Sequence, residues 1–104
     1  MAVVHITKDN FDALVTKSEK TVLLDFYADW CGPCRMVAPL VAELAEEHPE
    51  YVIGKINVDE DPDLARQFDV ASIPTLAVVK NGVTVNVAVG ARPKAQILAL
   101  LEQA

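Results

Sequence analysis

Residues 21–58, TVLLDFYADWCGPCRMVAPLVAELAEEHPEYVIGKINV, have the clearest secondary-structure pattern of the chain. Its first segment, Thr21–Ala28, is an almost uninterrupted apolar run, which is typical of a strand covered on both faces. The last segment, Tyr51–Val58, has the same character and predicts a second buried strand. Between them, apolar residues recur at helical spacing: Val37, Leu40, Val41 and Leu44. A strand, a helix and a strand in this order predict a parallel pair joined by a right-handed crossover.

Three further helices are predicted outside this unit. Phe11, Leu14 and Val15 lie about one turn apart and predict a helix near the N-terminus. The pair Asp61–Pro62 predicts the start of a short helix, because proline is favoured at the first helical position. Pro93 likewise predicts the start of a last helix.

The remaining strands include a hairpin. Thr75–Lys80 and Val83–Val89 are both strand-like, and Asn81–Gly82 between them suits a tight turn, since both residues tolerate positive φ. With an N-terminal strand, the order becomes β-α-β-α-β-α-β-β-α. This order predicts a single domain, residues 1–104, of the α/β class: three α/β/α layers, with a mixed five-stranded sheet flanked by four helices.

Composition and charge exclude several classes of function. Hydrophobic residues make up 52% of the 104 residues, which argues against a disordered chain. The formal net charge is −6 and no basic run occurs, so we expect neither nucleic acid nor an anionic membrane as partner. No apolar run approaches the roughly 18 residues of a transmembrane helix. Residues 1–5 have no basic segment ahead of an apolar stretch, so we expect no secretory signal and a cytoplasmic location.

The only two cysteines, Cys31 and Cys34, are the main candidates for chemistry. A zinc site would need four ligands, and only His5 and His48 could supplement the pair. A structural bridge across so short a loop would constrain the unfolded chain little. Two buried cysteines spaced by chance are a third alternative. Because the pair lies where a predicted strand ends and a helix begins, the sequence favours a redox dithiol.

The helix start gives each cysteine a different expected role. Unpaired N–H groups and the positive end of the helix dipole stabilise a thiolate there, and the thiolate is the form that attacks disulfides. We therefore expect Cys31, at the tip, to attack, and Cys34, deeper on the same helical face, to close back onto Cys31. Pro33 between them removes one N–H and stiffens the connection.

Asp25 is the second unusual residue, because a charge within the apolar run is costly unless it is paired. Burial raises the pKa of a carboxyl group, so Asp25 is a candidate acceptor for a proton from the deeper thiol. The alternative is an aspartate that simply reaches solvent. Lys55 on the next predicted strand is either its partner or a surface lysine. Trp30, beside the dithiol, is predicted to be partly exposed.

Six short motifs follow one another along the chain: residues 25–36 (DFYADWCGPCRM), Ala38–Pro39, residues 55–59 (KINVD), Ile73–Pro74–Thr75, Lys80–Asn81–Gly82 and Val89–Gly90–Ala91. A single tetrapeptide of this kind is weak evidence, whereas six in this order and at these intervals are highly specific. Together they resemble the thioredoxin family, and the resemblance covers essentially the whole chain.

The resemblance implies a thioredoxin fold and a protein-disulfide reductase. Cys31 would be the nucleophile, Cys34 the resolving cysteine and Asp25 the buried acid that assists proton transfer, with Lys55 nearby. An extended substrate would bind as an added strand. Its groove would be formed by Trp30, Gly32, Pro33, Ile73, a cis Pro74, Gly90 and Ala91.

The resemblance also implies partners that composition cannot reveal. No bound cofactor is expected, because electrons would come from NADPH through thioredoxin reductase. The other partners would be disulfide-containing proteins, and a monomer is expected. Two residues depart from the common family pattern: Tyr27 stands where many members have Trp, and Ser72 precedes Ile73 where some have Gly. Ser72 would line the groove, so it bears on partner choice.

Two other functions remain open at this point. The chain could be a binding subunit that keeps the fold without using redox chemistry. It could also be a disulfide oxidant or isomerase. The Gly32–Pro33 dipeptide favours a reductase by family analogy, since oxidising relatives usually carry His between the cysteines.

Overall fold

The chain is built around one five-stranded sheet in a computed structural model that describes residues 2–104. Met1, with which the predicted domain begins, lies outside the described residues. The strands are β1 (Val4–His5), β2 (Val22–Tyr27), β3 (Val52–Asn57), β4 (Thr75–Lys80) and β5 (Val83–Val89). The helices are α1 (Gly32–Glu47), α2 (Pro62–Gln67) and α3 (Lys94–Glu102), and a short π-helical segment covers Asp12–Thr16. The sheet order is β1-β3-β2-β4-β5.

The central strand, β2, makes the sheet mixed. It pairs in parallel with β3, where Asp25 lies opposite Lys55, and antiparallel with β4 on its other edge. The connection from β2 to β3 runs through α1, as the apolar runs in residues 21–58 predict. The expected mixed five-stranded sheet is therefore confirmed.

Successive side chains of β2 point into two different cores, because strand side chains alternate between faces. Val22, Leu24 and Phe26 belong to the core under α2 and the π-helical segment. Leu23 belongs to the core under α1 and α3. Apolar burial on both faces gives the predicted three layers, and it holds the end of β2 rigidly beneath the start of α1.

The β4–β5 hairpin also follows the sequence prediction. Asn81 has φ of 53° and Gly82 has φ of 77°, so both turn residues occupy the left-handed region that a tight hairpin turn requires. The pairing of β4 with β5 shifts register between Val78 and Val79. This irregularity is one feature that the alternating apolar pattern did not reveal.

The predicted N-terminal helix is the π-helical segment, which has Phe11 as its N-cap residue, and α3 begins one residue after Pro93, at Lys94. Asn10 Oδ1 accepts a hydrogen bond of 2.8 Å from the Thr7 backbone N–H, which fixes a turn ahead of the helical segment. Leu14 stays at the surface, and only Val15 of the π-helical segment is buried. No helix among residues 2–104 is long and apolar enough to cross a membrane.

Candidate functional site

The cysteine pair lies at the junction between β2 and α1. Cys31 is the N-cap residue of α1, and its Sγ accepts a hydrogen bond of 3.2 Å from the Cys34 backbone N–H. Cys31 and Cys34 are joined by a disulfide, with their Cα atoms 5.3 Å apart. Helix geometry places both sulfurs on one face of the first turn, so the bond can form and break without unfolding α1.

Both cysteines are almost covered by their surroundings. Cys31 is 4% exposed and Cys34 is 3% exposed. Cys34 was expected to lie deeper than Cys31, but the two exposed fractions are nearly equal. Cys31 is covered because its Sγ lies 3.9 Å from the Ile73 carbonyl oxygen, and Ile73 and Val58 pack against the pair. Gly32 and Pro33 are exposed beside this narrow opening, where a partner sulfur would have to approach.

The Trp30 side chain is exposed next to Cys31. It is 68% exposed, as predicted, and its indole Nε1 donates a hydrogen bond of 2.8 Å to Asp59 Oδ2. The Asp59 backbone is itself held by Asn57 Oδ1, which accepts from the Asp59 N–H at 2.9 Å. Sequence reasoning missed Asp59 as a functional candidate. Its position at the end of the KINVD motif, one residue after the second predicted strand, was the available signal.

The loop that carries Trp30 is fixed from both ends. The Cys31 N–H donates to the Ala28 carbonyl at 3.2 Å. Arg35, one residue after Cys34, donates from Nη2 to the Asp29 carbonyl at 2.8 Å. The sequence did not single out Arg35, because a lone arginine in a first helical turn has no distinctive pattern. These bonds fix the path of the backbone into the dithiol.

Asp25 lies under the dithiol and is buried, with 3% of its surface exposed. Desolvation by burial raises its pKa from 3.8 to about 7, although the positive charge of Lys55 opposes the shift. Oδ1 of Asp25 is enclosed and has no hydrogen-bond partner among the described residues. The carboxyl group therefore changes charge near neutral pH, where a proton acceptor for a thiol is useful.

Asp25, Cys34 and Lys55 line one cavity of about 240 Å³. Lys55 is exposed and lies beside Asp25 in the parallel register of β2 and β3. The structure thus brings together the three polar residues that the sequence associated with proton transfer. The cavity is large enough for water to connect the carboxyl group with the region of Cys34.

The segment before β4 borders the dithiol from the other side. The Ile73–Pro74 peptide bond is cis, as the family resemblance implies. The Pro74 carbonyl accepts a hydrogen bond of 2.8 Å from the Gly90 N–H, which ties the Gly90–Ala91 loop to this segment. Ile73 is half-buried and Pro74 is buried. Of the predicted groove residues, Ile73 thus contacts Cys31 directly, and Gly90 is tied to Pro74 beside it.

An apolar groove begins beside Cys31. It has a volume of about 370 Å³, and its lining includes Trp30, Val58, Ser72 and Ile73. Ser72 is exposed, and its carbonyl accepts a 2.6 Å hydrogen bond from Thr75 Oγ1. Among residues 2–104, no group of three or more potential ligands is arranged to hold a metal ion.

Comparison with known proteins identifies the family. The thioredoxin family model matches residues 2–103. A thioredoxin of Streptomyces clavuligerus is 48% identical over 94 residues, covering 90% of this chain and 88% of the relative. A thioredoxin of Haemophilus influenzae is 47% identical over 102 residues, covering 97% and 95% of the two chains. A third, from Acidithiobacillus ferridurans, is 42% identical with 97% and 94% coverage.

The fold, the disulfide at the start of a helix and the extent of the matches agree. They make the chain an enzyme that exchanges thiols and disulfides and acts as a protein-disulfide reductase. Members of this family need no cofactor for that exchange. The family implies two kinds of partner: a reductase and proteins that contain disulfides. The chain belongs to the thioredoxin family.

Proposed function

We propose that Cys31 is the nucleophile of this reductase and Cys34 the resolving cysteine. The observation that carries the assignment is the N-cap position of Cys31, whose Sγ accepts the Cys34 N–H at 3.2 Å. After reduction, the same N–H and the helix dipole stabilise a thiolate on Cys31. Cys34 lies inside the first turn, close enough to bond Cys31 again.

The reaction then has two exchange steps. The Cys31 thiolate attacks one sulfur of a partner disulfide, so a mixed disulfide forms and the second partner sulfur leaves as a thiolate. Cys34 loses its proton and attacks Cys31 Sγ, which releases the first partner sulfur and restores the Cys31–Cys34 bond. Two electrons pass to the partner, and the chain returns to its disulfide form.

Asp25 accepts the proton of Cys34 in this scheme. Its pKa of about 7 lets the carboxyl group take up and release a proton at neutral pH. The shared cavity supplies a path from Cys34 to Asp25 through water. Lys55 favours the charged form of Asp25, so it keeps the carboxyl group from staying protonated throughout the cycle.

The partner binds as an extended segment beside the dithiol. Exposed Trp30 supplies a wide apolar surface, and the groove with Ile73 continues from it. Gly32 and Pro33 leave the approach free of bulky side chains. Gly90 and Ala91 border the same opening through the bond between Gly90 and Pro74. The apolar lining favours extended apolar segments of the partner.

Electrons come from NADPH through thioredoxin reductase in this proposal. The enzyme acts in the cytoplasm, because a reducing dithiol is maintained where thiols are kept reduced. It works as a monomer, since one chain contributes every residue around the dithiol. The single functional domain spans residues 1–104.

The direct test is reduction of insulin by dithiothreitol, followed by the precipitation of the insulin B chain. The wild-type chain accelerates precipitation, whereas Cys31→Ser leaves the rate at that of dithiothreitol alone. Lys80→Gln is the control, because Lys80 lies at the far end of β4 and keeps the full rate. Full activity of Cys31→Ser, or no acceleration by the wild-type chain, would rule out the proposal.

A further inference from the structure

The sheet order separates two charged groups across the dithiol. β2 ends in the middle of the sheet, with β3 on one side and β4, then β5, on the other. Because β2 and β3 are parallel, Asp59 follows the end of β3 at the dithiol edge. Because β5 is antiparallel to β4, Arg92 follows its end at the same edge. Three strand spacings of about 4.8 Å separate these ends, or about 14 Å.

Arg92 has unused hydrogen-bonding capacity. Its Nη2 donates to the Val89 carbonyl at 3.3 Å. Its Nε has no acceptor within residues 2–104 but is enclosed, so a partner would have to pair with the terminal guanidinium nitrogens. No carboxylate of the described chain lies within 4 Å of its guanidinium, so Arg92 forms no ion pair there. Lys94, two residues later, contrasts with it, because its Nζ contacts the carboxylates of Glu43 and Glu47. Arg92 is thus a cation at the dithiol edge of the sheet with no carboxylate partner among residues 2–104.

Arg92 also lines a second groove, of about 310 Å³, on the α1–α3 side. The groove includes Met36, which is 71% exposed, together with Leu40, Ala91 and Pro93. Met36 lies one helical turn after Pro33, so this apolar surface continues directly from the dithiol. The groove is apolar, and the Arg92 guanidinium in it has no carboxylate partner among the described residues. It therefore fits a partner segment that combines apolar side chains with a carboxylate.

The opposite side of the dithiol carries negative charge. Asp59 is exposed and uses Oδ2 to hold the Trp30 indole, and Glu60 beside it is exposed as well. A partner segment that crosses the dithiol therefore meets a carboxylate at one end and a guanidinium at the other. At about 3.3 Å per residue, the 14 Å between the strand ends corresponds to about four residues.

We propose that Arg92 determines substrate specificity by pairing with an acidic side chain of the partner. The favoured partner is an extended segment with an acidic residue on the Arg92 side of its cysteine and a basic residue on the Asp59 side. The two charges lie about four residues apart. This inference rests on the proposed reductase function and adds to it the charge pattern of the substrate.

Three peptides test the inference with the reduced full chain. Each has one cysteine in a mixed disulfide with thionitrobenzoate. The first peptide has Lys two positions before the cysteine and Glu two positions after it. The second has Glu and Lys in the reverse order, and the third has Gln at both positions. Attack by Cys31 joins it to the peptide sulfur and releases coloured thionitrobenzoate, whose appearance gives the second-order rate constant. Measurements are made at low ionic strength and at about 0.5 M salt, which screens charge pairs.

One charged peptide should react about threefold faster than its reverse with the wild-type chain, and high salt should reduce the ratio. Arg92→Gln should bring the ratio close to one, whereas Arg92→Lys should keep part of it because the charge remains. Lys80→Gln, which removes one positive charge at the far end of β4, should leave the ratio unchanged.

Equal rates for the two charged peptides with the wild-type chain would overturn the inference. A preference that survives in Arg92→Gln would overturn it as well. Either result leaves the reductase function intact if the Gln peptide reacts and Cys31→Ser does not. Failure of the wild-type chain to react with any of the peptides would instead remove both proposals.

Discussion

Replacing Asp25 with alanine should stabilise the oxidised protein while slowing its turnover. Burial raises the pKa of Asp25 from 3.8 in the unfolded reference to about 7, a change of about three units. At about 1.4 kcal/mol per unit, the charged carboxylate lowers the free energy of unfolding by about 4 kcal/mol. Alanine removes the buried charge and its cost to stability. Few hydrogen bonds are lost, because Oδ1 of Asp25 has no hydrogen-bond partner among the described residues.

The sign follows from proton binding. Between pH 3.8 and about 7 the folded protein holds a proton on Asp25 that the unfolded chain releases, so wild-type stability falls as pH rises through this window. Near pH 4 only packing is lost, so Asp25→Ala should be equal to the wild type or up to about 2 kcal/mol less stable. At pH 8 the relief of the buried charge should leave it about 2–4 kcal/mol more stable than the wild type.

Urea denaturation of the oxidised protein between pH 4 and pH 8.5 measures the difference. Asp9→Asn is the matched control, because it removes an exposed carboxylate instead of a buried one. The resolving step should also slow in Asp25→Ala, measured as decay of the mixed disulfide. A stability difference that does not vary with pH, or an Asp25→Ala variant less stable than the wild type at pH 8, would show that the charge on Asp25 does not destabilise the folded protein.

Two glycine substitutions test the packing that positions the site. In Gly54→Ala the new Cβ would lie 2.7 Å from Ile6 Cγ1 in the buried β1–β3 contact, so the free energy of unfolding should fall by about 1–3 kcal/mol. Gly32→Ala, whose added Cβ would have no atom within 4 Å, should change the free energy of unfolding by less than about 0.5 kcal/mol. Equal losses of stability in Gly54→Ala and Gly32→Ala would contradict the close contact with Ile6. In Gly82→Ala, φ of +77° and the Thr16 carbonyl 3.2 Å from the added Cβ should cost about 1–2 kcal/mol by thermal unfolding. Gly82→Asn should cost less because asparagine tolerates this conformation, and the reverse order would contradict the turn assignment.

Much of the fold could be predicted because burial leaves a strong pattern. The apolar runs around Asp25 and Lys55 identify adjacent buried strands, and the Asn81–Gly82 pair identifies the turn by its tolerance of positive φ. The site could be placed because Cys31 stands between a strand and a helix. These features depend on neighbours in sequence, which is the information that periodicity contains.

The features that sequence reasoning missed depend on contacts between distant segments. The Trp30–Asp59 hydrogen bond joins residues that are 29 positions apart. Arg92 became a candidate only when the sheet order placed it across from Asp59. The family resemblance placed Ile73 in the groove at the dithiol, but the near-complete cover of Cys31 by Ile73 and Val58 follows only from the packing of distant segments.

Trapping the mixed disulfide identifies which cysteine attacks the partner. Reduced Cys34→Ser is mixed with a protein disulfide substrate, and the products are examined by mass spectrometry with and without dithiothreitol. We expect Cys34→Ser to form a covalent complex through Cys31 that dithiothreitol releases. The wild-type chain, which keeps Cys34, should not accumulate this complex. A stable complex formed by Cys31→Ser through Cys34, with none formed by Cys34→Ser, would contradict the assignment of the attacking sulfur.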